Sequence, residues 1–330
     1  MILILADTAD PWSTLLHREL FGRGQEVSWI RPEQLLDRIL LNWPVTSGSP
    51  IPKGRLVIDG VPVALADLTG MFIRFALPPP LELDGLSLQD RGYVAKETSA
   101  AWLGLLNAIP CSVVNRPVPG GRPTLLAGSP CLSRLATECG FTLPPSRTTS
   151  NRTDAIMQFA AWSEQVFLKP LASQEPGITL QAQDGVEQIY KAMERQAVSL
   201  QAIPHGQRMT VYVVGEKAVA TIVQADQSPG ANPSMASLAT RQCVDLVRAL
   251  GLAFAECQLV VTSDRTMCCL DVSGAPSYWR CPQAVQRQLV GRLADLLSEP
   301  RSIPIHDSFD GADGGSCAGE RVCQTGSPER

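Results

Sequence analysis

Val166-Phe-Leu-Lys169-Pro170-Leu171, followed by Gly177-Ile178, is the stretch on which the reading of the fold turns. Its first four residues read as a short strand that ends in Lys169. By itself such a lysine would simply close an edge strand in solvent. Working outward, a polar loop precedes the strand, with Ser150 placed to cap a helix over 153–163. Further back, a helix over 130–139 stops at Gly140, as helices commonly do at glycine. After the strand, Leu180 opens a region where strand and helix alternate. MTVYVVGEKAVATIVQ, residues 209–224, reads as an antiparallel hairpin turning at Gly215-Glu216. A helix over 236–250 presents Leu238, Cys243, Leu246 and Leu250, and a second hairpin over 258–272 turns near Asp264. The last helix, 282–297, carries Val285, Leu289, Leu293 and Leu296 at helical spacing. From about Ile305 small and polar residues dominate, and the tail reads as disordered.

The N-terminal part is of a different kind. Residues 2–5, ILIL, lead through Asp7 and Asp10-Pro11 into a helix with Leu15, Leu16, Leu20 and Phe21 on its inner face, ending at Gly22 or Gly24. A second strand comes next over 27–30, and this β-α-β opening predicts a parallel sheet of Rossmann type. No G-x-G-x-x-G follows the first strand, so a dinucleotide site there has little support. Residues 42–54, rich in Pro, Gly and Ser, read as a loop. Leu56-Val-Ile-Asp-Gly60 with Val61 and Val63 predicts a hairpin with an Asp-Gly turn. A strand over 71–75 runs into prolines at 78–80. A helix over 93–107 offers Val94, Ala101, Leu105 and Leu106 for burial, and Ser112-Val-Val-Asn115 closes the unit. Val118-Pro-Gly-Gly-Arg-Pro123 is a turn-rich connection into the helix over 130–139.

The 330 residues are 45% hydrophobic and 18% charged, a globular composition with room for two or three subdomains. A formal net charge of -4 argues against a general nucleic-acid binder, which needs surplus Lys and Arg to neutralise phosphates. No run reaches the roughly 18 apolar residues of a membrane span. MILILADTAD has no basic segment before its short apolar run, so a cytoplasmic protein is expected. The ten cysteines include no C-x-x-C pair. They are expected as reduced, buried small hydrophobes in preference to a metal site, even where Cys257, Cys268, Cys269 and Cys281 crowd together. Ser/His/Asp hydrolysis has little to stand on: the histidines are His17, His205 and His306, and no G-x-S-x-G is present.

Taken in order, these pieces resemble the ATP-grasp superfamily, most closely the branch that modifies peptides or joins amino acids. Val113-Val-Asn115-Arg-Pro117 resembles the junction into the first ATP-grasp subdomain, and Cys139-Gly-Phe-Thr-Leu-Pro144 its "Gly-Phe, then Pro" step. The stretch from Val166 to Leu171 resembles the lysine strand, with Gly177-Ile178 in the position of the glycine loop. Leu200-Gln201 followed by Pro204 and Gly206 resembles the adenine hinge. Leu250-Gly-Leu252 through Leu259-Val-Val-Thr262, then Leu270-Asp-Val272 and Pro276, resembles the C-terminal metal-binding hairpin. The resemblance spans roughly residues 113–297 and rests on the series more than on any one element. It implies an α/β protein with α+β lobes: a Rossmann-like pre-ATP-grasp domain over 1–117, a central lobe over 118–199, a C-terminal lobe over 200–300 and the tail over 301–330.

Chemically, the resemblance implies ATP and Mg²⁺ as cofactors and activation of a carboxylate as an acyl phosphate, which an amine or other nucleophile attacks. Positive charge must be held around the triphosphate, and magnesium takes hard oxygen ligands. Lys169 matches the second nucleotide lysine, Gly177 the glycine loop and Gln201 the hinge. Arg208 lies two residues before Thr210, which stands at the arginine position, and shares its strand face. Asp271 takes the second metal position, one methylene shorter than Glu, and Gln258 the first, as a weak neutral ligand. Elsewhere the match departs: Ser129-Pro130 stands for Lys-Pro, Ala202 for the hinge acid, Ser273 for Asn, and Gly274 where proline is common. Arg208 as a solvated hairpin residue and Asp271 as a cap of the Ser273-Gly274 turn remain open alternatives. Glu256 and Asp264 are nearby carboxylates with no established compensating role. No catalytic residue is assigned.

Two functions are compatible with these residues. One is a divergent ATP-dependent carboxylate-amine ligase acting on a peptide or amino acid. The other is a pseudo-ligase that keeps the shape to bind a peptide or a partner ligase, motivated by the changes at Ser129, Ala202, Thr210, Gln258 and Ser273. A third, a nucleotide- or amino-acid-binding regulator using the N-terminal unit, would put Arg74 and Glu97 on a substrate face; a solvated or paired ion set is the simpler expectation. A homodimer is left open.

Overall fold

Four consecutive apolar residues, Ile2–Leu5, are all buried here as a strand covered on both faces. They form the second strand of a four-stranded parallel sheet ordered Val27–Ile30, Ile2–Leu5, Gly70–Ile73 and Ser112–Val114. A computed structural model supplies this structure; it describes residues 1–44, 54–74, 85–117, 130–162, 165–171, 177–181, 183, 185–194, 196–223 and 233–299. Expectations for prolines 78–80, the 118–123 connection, Ser129, most of the 42–54 loop and the tail beyond 305 lie outside the described residues.

Alternation along Ile2–Leu5 sends Ile2 and Ile4 against Trp12, Leu16, Leu20 and the helix Gln283–Ser298. Leu3 and Leu5 pack with Trp102, Leu105 and Leu106 on the other side. The helix Pro11–Gly22 is capped by Asp10, whose carboxylate accepts from the Ser13 amide at 2.8 Å. Its buried stripe runs through Trp12, Leu16 and Leu20, whereas Phe21 is 75% exposed, so the expected inner position of Phe21 is wrong by one turn face. The Asp-Gly hairpin pairs Arg55–Ile58 with Val61–Ala64, and both Asp59 (φ 52°) and Gly60 (φ 81°) take the left-handed conformation that a type I′ turn requires. Ile39–Asn42 adds a third strand to this hairpin, beginning before the segment read as loop. The helix Leu88–Ala108 starts earlier than its apolar pattern suggests, because Ser87 accepts from the Asp90 amide and caps it there.

The rest of the described chain builds two antiparallel sheets. One is ordered Ile178–Leu180, Val166–Pro170, Val198–Ala202 and Ser146–Thr149. Its apolar face, with Val166, Leu168, Val198 and Leu200, packs with Ala155 of the helix Arg152–Ala161 and Ile189 of the helix Gly185–Ala192. The polar segment read as loop before that first helix contains the edge strand Ser146–Thr149, whose exposure explains its polarity. Asn151, not Ser150, caps the helix, accepting from the amides of Thr153 and Asp154 at 2.9 and 3.2 Å.

The other sheet is ordered Lys217–Val223, Gln207–Val214, Phe254–Val261 and Met267–Ser273. Met209, Val211, Cys257 and Leu259 pack with residues of the helices Pro130–Glu138 and Pro233–Ala249. Leu238 of the latter helix is 43% exposed rather than buried, and the helix turns Cys243 and Leu246 inward, with Leu250 buried just past its end. No helix among the described residues is long and apolar enough to cross a membrane.

Candidate functional site: a cleft bridged by Lys169 and Asp271

Strand alternation decides which side chains enter the space between the two antiparallel sheets. With Val166 and Leu168 committed to the helix-covered core, Phe167 and Lys169 fall on the opposite face. In Phe254–Val261 the same logic sends Cys257 and Leu259 into the core and leaves Glu256 and Gln258 outside it. A bulge between Gln258 and Leu259 re-phases the pairing, so Asp271 lies directly across from Gln258.

These two faces meet. Lys169 Nζ donates to Asp271 Oδ1 at 2.6 Å, with side-chain exposures of 2% and 0%. The second Asp271 oxygen accepts the Gly177 amide at 3.1 Å, and Arg280 donates to the Gly177 carbonyl at 3.0 Å. Ile178 pairs with Leu168, so the chain delivers Gly177 beside Lys169. A Cβ at Gly177 would lie 2.4 Å from the Phe167 ring and 2.9 Å from the Leu168 carbonyl, so any other residue there would force a neighbour to shift. Arg208 also crosses between the sheets, donating to Thr179 Oγ1 at 2.8 Å and to Gln165 Oε1. These two acceptors are neutral, and Arg208 itself is half-buried.

Gln258 turns its amide nitrogen to Glu256 Oε1 at 3.0 Å, and the other Glu256 oxygen accepts the Ser277 amide at 3.0 Å. Burial pushes the Glu256 carboxyl above its usual range, opposed by those two hydrogen bonds and by Arg280. Gln201 is 5% exposed, and its Oε1 and the Ser199 hydroxyl are buried without hydrogen-bond partners. Gln201 helps line a cavity of about 10 Å³ with Ser146, Pro144, Leu143 and Leu270, room for roughly one water. The next two amides are committed, Ala202 to the Pro145 carbonyl and Ile203 to that of Gln165, each at 3.0 Å. Asp264 holds its own turn, accepting from Thr262 and Thr266. In the N-terminal unit, Arg74 lies 3.4 Å from Asp10, and Glu97 is on the exposed side of its helix.

Two further residues matter: Asn115, which the sequence reading placed only within a junction segment, and Arg280, which it did not single out. Asn115 stands at φ 55° and its side chain makes four hydrogen bonds, donating to the carbonyls of Phe254 and Gly274 and accepting the amides of Ala253 and Phe254. It thereby ties the end of the parallel sheet to the base of the cleft hairpin. An Asn directly after an apolar strand was the available signal. Arg280 carries no sequence signal, since its role depends on where Gly177 arrives.

Three observations test this cleft against magnesium-ATP. Of the positions expected to hold metal, Asp271 alone offers a carboxylate, and each of its oxygens already accepts a hydrogen bond, one from Lys169 and the other from the Gly177 amide. Gln258 and Glu256 are bonded to each other, and among the described residues no group of three or more His, Cys, Asp or Glu is arranged to hold a metal ion. The ammonium of Lys169, which a phosphate would need, is spent on Asp271. As arranged, these residues do not fit the group.

No family model and no curated protein matches this sequence. Solved structures do match it. The macrocyclase MdnC bound with precursor peptide MdnA from Microcystis aeruginosa superimposes with a TM-score of 0.61 at 13% identity, covering 91% of this chain and 100% of that one. A Chryseobacterium gregarium RiPP-associated ATP-grasp ligase in complex with ADP and a leader and core peptide gives 0.59 at 15% identity, covering 91% and 98%. The ATP-grasp ligase PsnB complexed with minimal precursor gives 0.57 at 16%, covering 90% and 97%. The chain therefore has the ATP-grasp fold, as the order of its sequence elements implied. Likeness at these identities carries the architecture, and the activity has to be argued from the site.

Proposed function

We propose that this chain is a peptide-binding protein of ATP-grasp architecture that does not turn over magnesium-ATP, the pseudo-ligase of the two readings left open by the sequence. The observation that carries this reading is the commitment of Asp271, whose two oxygens are taken by Lys169 and Gly177 in a site closed to solvent. A magnesium ion there would have to displace a contacting ammonium, and the neighbouring Glu256 carboxylate is already bonded to Gln258 and the Ser277 amide. The peptide part of the reading is supported by the occupants named for the matched structures, a precursor peptide in MdnC and a leader and core peptide in the Chryseobacterium ligase. In this reading the units 1–117, 118–199 and 200–300 keep their relative places, and the surfaces around the cleft, rather than its charged interior, make the contacts to peptide.

The alternative, an ATP-dependent ligase acting on a peptide, has two observations in its favour: Lys169, Gly177 and Asp271 converge although they come from separate parts of the chain, and ADP is named with the peptides in the Chryseobacterium ligase. It requires the pair to open. Isothermal titration of the full chain with ATP and a non-hydrolysable analogue, with and without magnesium, separates the two. The pseudo-ligase reading expects no saturable heat at millimolar nucleotide and no ADP release with a peptide library. Magnesium-dependent binding accompanied by ADP release would sink it.

A further inference from the structure

The geometry points to a staple across the cleft: Lys169, Asp271, Gly177 and Arg280 hold the two cleft sheets closed without any nucleotide, Lys169 and Asp271 each filling the place of the other's ligand. The ammonium stands before Asp271 where a cation would, and the carboxylate stands before Lys169 where an anionic group would, at 2.6 Å. Gly177 then locks the arrangement from both sides, its amide on Asp271 and its carbonyl on Arg280. Three polar contacts thus join the strand Val166–Pro170 and the residue before Ile178–Leu180 to the strand Met267–Ser273 and the loop after it.

The staple is strong for three physical reasons. Both charges are almost wholly withdrawn from water, so salt does not screen their attraction as it would on the surface. An entering phosphate or cation would leave the partner it displaced as an uncompensated buried charge. The Phe167 ring and the Leu168 carbonyl also crowd the α-carbon of Gly177, at 2.4 and 2.9 Å from where a Cβ would be, so the loop end has little room to shift. The proposal rests on the same Asp271 geometry as the pseudo-ligase reading, but it concerns closure and not turnover.

The Gly177 amide is its own reporter, because its hydrogen is the one donated to Asp271. Amide exchange at Gly177, followed by NMR on the full chain, is expected to be slow and unchanged by magnesium-ATP or by added salt. Asp271→Asn and Arg280→Ala should each accelerate it, by roughly tenfold or more, as expected for a local opening relieved of one charge-assisted contact. Arg280 is an exposed loop residue, so its variant keeps the test alive if Asp271→Asn does not fold. Slowing of wild-type Gly177 exchange by magnesium-ATP, or unchanged exchange in Arg280→Ala, overturns the staple. ADP release by a protein whose Gly177 exchange still depends on Arg280 would refute the pseudo-ligase reading and leave the staple standing. The converse pair of results would do the opposite.

Discussion

Lys169 and Asp271 are 102 residues apart in sequence and form a buried ion pair at 2.6 Å between two different sheets. Removing one partner leaves the other charged and stranded in the interior. Lys169→Met or Asp271→Leu alone should therefore destabilise the fold by about 3–5 kcal/mol. The double variant should recover most of that loss, because replacing a buried pair by apolar groups is often close to neutral. Denaturant midpoints for the four proteins of the cycle measure this, and additive single losses would mean that the two side chains are not coupled.

Gly177→Ala should destabilise by about 1–3 kcal/mol, the usual range for overpacking, since the added methyl would meet the Phe167 ring. Gly92, in the helix Leu88–Ala108, is the contrasting case, because a methyl added there would find nothing within 4 Å. At that position, Gly92→Ala should stabilise by roughly 0.5–1 kcal/mol. A melting temperature for Gly177→Ala that is unchanged or raised would contradict the packing assigned to Gly177.

Asn115→Ala removes four hydrogen bonds at the junction and leaves a β-carbon in the left-handed region at φ 55°. A loss of about 3 kcal/mol or more is expected. Asn115→Gly should be milder by about 1 kcal/mol, because glycine accepts that backbone conformation. Equal losses in the two variants would show that backbone strain plays no part.

Burial pushes the Cys111 thiol up to about 11 from an ordinary 9.0, with Arg116 acting in the opposite direction, and burial likewise raises Cys281 to about 11. An acid whose pKa is raised by folding contributes stability that is fully present below its unfolded value and lost as pH rises toward the folded one. Stability should accordingly decline as pH climbs from about 9 toward 11. At fixed pH below that window, both thiols should react with iodoacetamide about 100-fold more slowly than a free cysteine, from the thiolate fraction alone. Rapid labelling of Cys111 in the folded protein would argue against its burial.

Much of the cleft is legible in the sequence. The resemblance singles out Lys169, Gly177, Gln258 and Asp271; strand alternation places Lys169 and Gln258 at the boundary between the two antiparallel sheets, whereas Gly177 precedes its strand and Asp271 is set by the bulge. The misplacements have local causes. Phe21 and Leu238 have apolar side chains at helical spacing but lie outside the arc that meets a neighbouring sheet, and Ser146–Thr149 looks like a loop because an edge strand can be polar. Ser150 and Asn151 are both competent caps, and only the path of the chain chooses between them.

The amino-acid order by itself determined the succession of strands and helices and the turns at Asp59-Gly60 and Gly215, because these follow from local periodicity and residue chemistry. Tertiary structure alone decided that the remaining lysine and aspartate satisfy each other, that Gly177 is clasped from both sides, and that Arg280 belongs to the site. Those facts depend on how two sheets approach and on a one-residue bulge beside Gln258. A hydrogen bond between segments about a hundred residues apart leaves no trace in the spacing of either one.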